Sequence, residues 1–214
     1  LLGDAKIVIA GGQESMTNSK EEIMLKDGLI DVYNNYHMGI TAENVAEKFE
    51  ISRKDQDIFA ASSQLKAEDA IKNKKFNEEI IDKLNNDEHP RKGITEENLS
   101  KLKPAFKENG TVTAGNSSGI NDGAAAVLLI NRSESEKRGL EPLAKIVSWA
   151  TCGVDPALMG LGPIPASKTA MKKAGWNIND LDLVESNEAF AAQSIAVIKE
   201  LKIPFEKVNV NGGA

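Results

Sequence analysis

Three short segments of this 214-residue chain carry residue types that bind or transform ligands. The first is Thr113-Ala114-Gly115-Asn116-Ser117-Ser118-Gly119-Ile120-Asn121-Asp122-Gly123, where hydroxyls, two asparagines and three glycines fall within eleven residues. Such a loop lets backbone approach a ligand closely, although the same composition also makes a plain structural turn. The second is Ser186-Asn187-Glu188-Ala189-Phe190, where an apolar strand pattern hands over to an apolar helix pattern. Ligands gather at such carboxyl strand ends in open α/β sheets; a simple helix cap by Ser186 or Asn187 is the competing reading. The third is Tyr36-His37-Met38-Gly39, whose histidine is either a pocket residue or a packing residue. The single cysteine, Cys152, excludes an intrachain disulfide, and with only two histidines a Cys/His zinc site has no support. No basic side chain adjoins Cys152 to lower its pKa, so it reads as a buried bystander rather than a nucleophile.

The surrounding pattern predicts the elements that hold these segments. Lys6 is followed by a short buried strand, Ile7–Ala10, ending on Gly11-Gly12, after a helix tail at Leu1-Leu2 and a turn at Gly3-Asp4. Thr41 precedes a helical run, 42–49. Ser52 opens a second helix with Asp55 three residues on, an acidic capping box, and Ile58, Ala61 and Leu65 predict its core-facing stripe. Residues 82–110 are polar and broken by Pro90, Gly93, Pro104 and Gly110. From Thr111 the texture is α/β. Gly123–Ile130 is a strand or a helix running into one, and Leu143–Ala150 reads as a strand. Ser167–Ala174 is a helix stopped by Gly175, Leu181–Glu185 a strand, 189–201 a helix, and Val208–Val210 the next strand. The last three form a βαβ unit, which implies an α/β fold with helices on a sheet.

Composition narrows the class. Lys plus Arg number 26 against 32 Asp plus Glu, a net charge of −6, with no basic block, so nucleic acid is not the expected partner. No apolar run approaches the length of a membrane span, no secretory leader pattern opens the chain, and no nucleotide-type glycine motif is present. A cytoplasmic enzyme or ligand-binding domain is expected. The chain starts without Met in the tail of a helix and closes on a strand running into a glycine turn, so a fragment of a longer protein is expected.

Seven motifs occur together in one order: Gly11-Gly12-Gln13-Glu14-Ser15-Met16; His37-Met38-Gly39-Ile40-Thr41-Ala42-Glu43-Asn44; Thr113 through Gly119; Gly153-Val154-Asp155-Pro156; Gly162-Pro163-Ile164-Pro165-Ala166; Asn187-Glu188-Ala189-Phe190; and Asn209-Val210-Asn211-Gly212-Gly213-Ala214. In this the chain resembles a thiolase from end to end. Its His-Met pair is similar to that of the biosynthetic, acetyl-CoA acetyltransferase type. The resemblance implies a layered αβαβα fold, here incomplete, with a helical and loop-rich insert. It divides the chain into residues 1–26, the rear of an N-terminal half; 27–110, the CoA-contacting insert; 111–141, the end of that half; and 142–214, the front of a C-terminal half. It also implies Claisen condensation of two acetyl-CoA to acetoacetyl-CoA and CoA, and the reverse thiolysis, through a cysteine acyl-enzyme. By the same resemblance Asn187 orders an oxyanion-hole water, and Ser118 with Ala114 lies near thioester and pantetheine. His37, Met38, Met159 and Phe190 line the acyl pocket, and Leu29, Arg91 and Phe106 contact CoA, Arg91 beside its adenine end. No cofactor is implied, CoA being substrate and product, and a homodimer or homotetramer is expected.

Departures from the family pattern are equally specific. The nucleophilic cysteine's motif and the Gly-His-Pro histidine are not in this sequence; the family carries them upstream of Leu1 and downstream of Ala214. Stretches near Met16–Glu22 and Ile81–Asn86 look shortened. Two other readings remain. A degradative 3-ketoacyl-CoA thiolase is opposed by His37-Met38, while ketoacyl synthases use a histidine at the level of Asn187. A non-catalytic, thiolase-derived CoA-binding protein is supported only by the missing nucleophile.

Overall fold

A computed structural model describes residues 4–81 and 87–213. The expected helix tail and Gly3 turn, most of the shortened stretch at 81–86, and the final Ala214 lie outside the described residues. In chain order the elements are β1 (Ile7–Glu14), α1 (Glu21–Met24), β2 (Ile30–Asp31), β3 (Tyr36–His37), α2 (Met38–Lys48), α3 (Arg53–Lys72), α4 (Glu96–Ser100), β4 (Gly123–Ile130), α5 (Arg132–Arg138), α6 (Pro163–Ala174) and α7 (Ala191–Leu201). They divide between two units, Leu1–Met24 with Ile120–Val147, and Leu25–Gly119 with Ser148–Ala214.

The first unit is built on an antiparallel pair, β1 with β4, in register from Ile7 opposite Ile130 to Glu14 opposite Gly123. The predicted strand therefore runs past its glycines. Gly11 is required there, because a Cβ would meet the Ala125 carbonyl across the ladder. The pair is also not buried: Ile9 is 77% exposed, and Val127 and Leu128 are exposed too. Asn131 caps α5 through its side chain, and Gly139 closes it in the left-handed conformation.

The second unit contains the core. Helix α7 lies at its centre, with Ala191, Val197, Ile198 and Leu201 packed on Phe59, Ile203 and Val208. Its Ala192 and Ala196 pack on Val45, Ala46 and Ile51. A third cluster joins Ala42, Val112 and Phe190 with Met38, Phe106 and Ala189. Val184 and Val208 make a single parallel bridge, so the predicted βαβ connection survives as one rung on either side of α7. Among the described residues, no helix is long and apolar enough to cross a membrane.

Several expectations are corrected. Helix α2 starts at Met38, capped by the His37 ring, because Thr41 instead donates its hydroxyl back to the Met38 carbonyl, 2.6 Å away. Helix α6 starts at Pro163, whose fixed φ suits a first-turn position, and Gly175 ends it as expected. Helix α7 starts at Ala191, two residues later than read. Leu143–Ala150 forms no strand; Leu143, Ile146, Val147 and Trp149 are exposed, and no described strand pairs with them.

The instructive miss is α3. Its capping box forms as predicted, but Ile58 and Leu65 are 47% and 58% exposed. The buried face instead holds Gln56, Asp57, Phe59, Ala60 and Ser63. Polar groups displaced the apolar stripe because each finds a hydrogen-bond partner in the interior, as the next section shows.

Candidate active site

The glycine-rich loop is held from two helices. From α2, the buried Glu43 carboxylate accepts hydrogen bonds from the Thr111 backbone at 2.8 and 3.0 Å, the Thr111 hydroxyl at 2.9 Å and the Val112 backbone at 2.8 Å. From α3, Gln56 Nε2 donates to the Thr111 hydroxyl at 2.9 Å, and Asp57 Oδ1 accepts from Asn116 Nδ2 at 3.0 Å. The other Asp57 oxygen pairs with Arg53 Nε at 2.7 Å, and Arg53 also donates to the Leu99 and Leu102 carbonyls. Inside the loop, Asn116 accepts from the Thr113 backbone and Ser117 donates to the Thr113 carbonyl. With its backbone groups thus satisfied, the loop offers a preorganised surface.

That loop abuts the segment leading into α7. Ser118 N–H donates to the Ala189 carbonyl at 3.0 Å, Ala191 N–H donates to the Asn116 carbonyl at 2.9 Å, and Ser117 bridges to Phe190. Ser118 and Phe190, placed far apart in sequence, therefore meet. His37, Met38 and Phe106 join them. The His37 ring stacks on Phe106 with centroids 4.6 Å apart, and Phe106 meets Phe190 edge-on at 6.1 Å. Phe106 sits directly over Gly39, leaving no room for a Cβ there. Burial holds the His37 imidazole below its ordinary pKa of 6.5, and its Nδ1 accepts from Gly39 N–H at 2.9 Å, so the neutral ring carries its proton on Nε2.

The remaining expected site residues spread around this cluster. Leu29 immediately precedes β2, which is paired with β3 so that Ile30 faces His37. The β2–β3 turn is tied by Asp31, whose carboxylate takes hydrogen bonds from the Asn34 side chain and the Tyr33 backbone. The Asn34 bond above all keeps the pKa of Asp31 below the usual carboxylate value. Met159 lies on a short turn, Pro156–Leu161, that Asn44 ties to α2 through the Ala157 carbonyl at 3.1 Å. Arg91 and Ala114 are exposed and line a cavity of about 330 Å³ together with Ser63, Gln64, Asn98 and Glu188. The Arg91 backbone donates to Gln64 at 3.0 Å.

Asn187 and Cys152 differ from expectation in their surroundings. Asn187 is not at the end of a buried strand but exposed, and it lines neither the aromatic cluster nor the cavity. Its neighbours, in contrast, are fixed. Ser186 is held through both backbone groups by Asn209, and the buried Glu188 carboxylate accepts from Ser63 Oγ at 2.6 Å and Asn209 Nδ2 at 2.7 Å. Cys152 is exposed rather than buried, its sulfur 4.0 Å from the Thr169 hydroxyl. Glu43, Gln56, Asp57, Ser63 and Asn209 received no role from the sequence. For α3 a signal was present: Arg53, Gln56, Asp57, Ala60, Ser63, Gln64 and Ala67 recur at helical spacing as a polar and small stripe.

Known proteins are similar to this chain in sequence and in fold. The thiolase N-terminal domain profile matches residues 1–133 and the thiolase C-terminal domain profile residues 140–214. An acetyl-CoA acetyltransferase of Paracoccus denitrificans is 53% identical over an alignment 240 positions long, covering 100% of this chain and 61% of that protein. The crystal structure of the Bacillus anthracis acetyl-CoA acetyltransferase superposes with a TM-score of 0.91 at 42% identity, covering 99% of this chain and 60% of that one. Human mitochondrial 3-ketoacyl-CoA thiolase in complex with CoA gives 0.93 at 41% identity, with 99% and 59% coverage. The chain thus spans about three-fifths of the length of the relatives it matches. Matched by both domain profiles and aligned along its whole length, with the α/β fold of its solved relatives, the chain belongs to the thiolase family.

Proposed function

We propose that the protein containing this chain transfers acetyl groups between CoA thioesters, condensing two acetyl-CoA to acetoacetyl-CoA and CoA and running the reverse thiolysis. In the condensation a cysteine thiolate adds to the first thioester carbonyl and expels CoA thiolate. A base outside this chain takes a methyl proton from the second acetyl-CoA, and the resulting enolate attacks the acyl-enzyme carbonyl, forming the carbon–carbon bond as the carbon–sulfur bond breaks and frees the cysteine thiolate. That cysteine and the Gly-His-Pro histidine belong to family motifs outside these 214 residues. This chain supplies the acyl pocket, the loop beside the thioester and, through Asn187, a donor for the oxyanion-hole water. One observation carries the reading: His37, Met38, Phe106 and Phe190 form one packed wall beside Ser118, filled by rings and suited to a short acyl group. The acetyl-CoA acetyltransferase relatives at about half identity support it.

The substrates are acetyl-CoA, acetoacetyl-CoA and CoA, with no further cofactor, and the protein works in the cytoplasm as a homodimer or homotetramer. Leu29, Arg91, Phe106 and Ala114 contact CoA, and Met159 closes the pocket with Phe190. The test is to assay the product of the complete reading frame with acetoacetyl-CoA and with long-chain 3-ketoacyl-CoA, each plus CoA. Preferential cleavage of acetoacetyl-CoA, by about tenfold or more in kcat/KM, is expected. Preference for long chains assigns a degradative thiolase instead, and CoA binding without turnover assigns a non-catalytic protein.

A further inference from the structure

Asn209 has an unusual position. The backbone of 207–209 pairs with Val184: Val184 N–H donates to the Lys207 carbonyl and Asn209 N–H to the Val184 carbonyl, each at 2.9 Å. At Asn209 the backbone then turns left-handed, with φ of 44°, and leaves the ladder. The side chain replaces the next rung. Its Oδ1 accepts from Ser186 N–H and its Nδ2 donates to the Ser186 carbonyl, both at 2.8 Å, as a paired peptide group would. The same Nδ2 donates to Glu188 Oε1 at 2.7 Å. One carboxamide, 2% exposed, therefore grips the residues on both sides of Asn187 while Asn187 itself projects outward. The grip is braced from behind, since Ser63 donates to the second Glu188 oxygen and accepts from Gly213 N–H at 3.0 Å.

We propose that Asn209 is a positioning residue for Asn187, setting the direction in which the Asn187 amide presents its donor. This rests on the reading of Asn187 as the group that orders the oxyanion-hole water. Asn209 touches no substrate; it acts through the 186–188 backbone and the Glu188 carboxylate.

The experiment compares Asn209→Asp, Asn187→Ala and the double variant in thiolysis of acetoacetyl-CoA by the product of the complete reading frame. Asn209→Asp keeps the left-handed backbone and the acceptor for Ser186 N–H, but loses both donations and sets a carboxylate against Glu188. Expected is a loss in kcat of roughly 10²-fold, the scale of a displaced catalytic group, with KM for CoA within about twofold. In the Asn187→Ala background Asn209→Asp should lower kcat no further, and Glu188→Gln, which restores a donor facing residue 209, should recover part of the loss in Asn209→Asp. An unaltered kcat in Asn209→Asp, or the same loss repeated without Asn187, overturns the proposal. Full turnover of Asn187→Ala alone overturns the underlying reading of Asn187, and the proposal with it. Should Asn209→Asp not fold, Asn209→Gly, which tolerates the same φ and lacks all three bonds, takes its place in the comparison.

Discussion

At the scale of single residues, exposure sets Asn187 and Cys152 apart from the half-buried His37. An exposed asparagine carries no fold, so Asn187→Ala should leave the melting temperature nearly unchanged. If its amide orders the oxyanion-hole water, kcat should fall by roughly 10²–10³. A cap would behave oppositely, losing about 1 kcal/mol of stability with turnover intact, so both quantities should be measured on the same variant. Cys152 is exposed beside the Thr169 hydroxyl, and Cys152→Ala should leave formation of the acyl-enzyme intact; labelled acetyl recovered on Cys152 would contradict this. His37 yields a pH prediction. Its folded pKa lies below the ordinary 6.5 because burial disfavours the imidazolium. The unfolded chain binds the proton more readily, so the stability from the neutral ring is present above 6.5 and is lost as pH falls through the lowered folded value. Asp31, Asp55 and Asp122 titrate below 3.8 and do not contribute in that window. Thermal melts from about pH 7.5 down to pH 5 should therefore show a drop that His37→Gln reduces.

At the scale of elements, α3 is the test of how hydropathy misleads. Phe59 is buried against α7 and meets Phe205 edge-on, so Phe59→Ala should cost about 3–5 kcal/mol in chemical denaturation. Leu65→Ala, on the exposed face, should change stability by no more than about 0.5 kcal/mol. The reverse order is what the apolar stripe alone predicts. The capping box, Gly175 as a stop, and the α2, α6 and α7 bodies were legible because caps and apolar spacing are local signals. The burial of Gln56, Asp57 and Ser63 was not, because their partners Thr111, Asn116 and Glu188 are remote in sequence. The reading of one strand failed for a related reason, while β1 and β4 formed where expected. Leu143–Ala150 has the right residues, but a strand exists only with a partner, and hydropathy does not name one. Of the site, the motif resemblance brought out Ser118, His37, Met38, Phe106 and Phe190, which the structure places together. It included Glu43 and Asn209 in its motifs without giving them a role, because their carboxylate and carboxamide only reveal their use when the backbone they hold is seen.

At the scale of the whole molecule, the buried apolar clusters among the described residues lie in the unit of Leu25–Gly119 and Ser148–Ala214, whereas the β1–β4 pair exposes apolar side chains. Hydrogen exchange on the 214-residue chain should accordingly show β1 and β4 amides opening at lower free energy than those of α7; equal protection would contradict that ordering. Within the larger unit, α3 is tied to several remote segments of the site: Gln56 to Thr111, Asp57 to Asn116, Ser63 to Glu188, Gln64 to Arg91 and Lys66 to Val208. A helix so moored has only one allowed azimuth, since turning it by a single residue would strand Gln56, Asp57 and Ser63 away from their partners at once. The geometry of the loop and the cooperativity of folding are then coupled in this unit. Substitutions at Gln56 and Asp57 should appear in the cell chiefly as lowered amounts of folded protein, with the protein that does fold behaving normally.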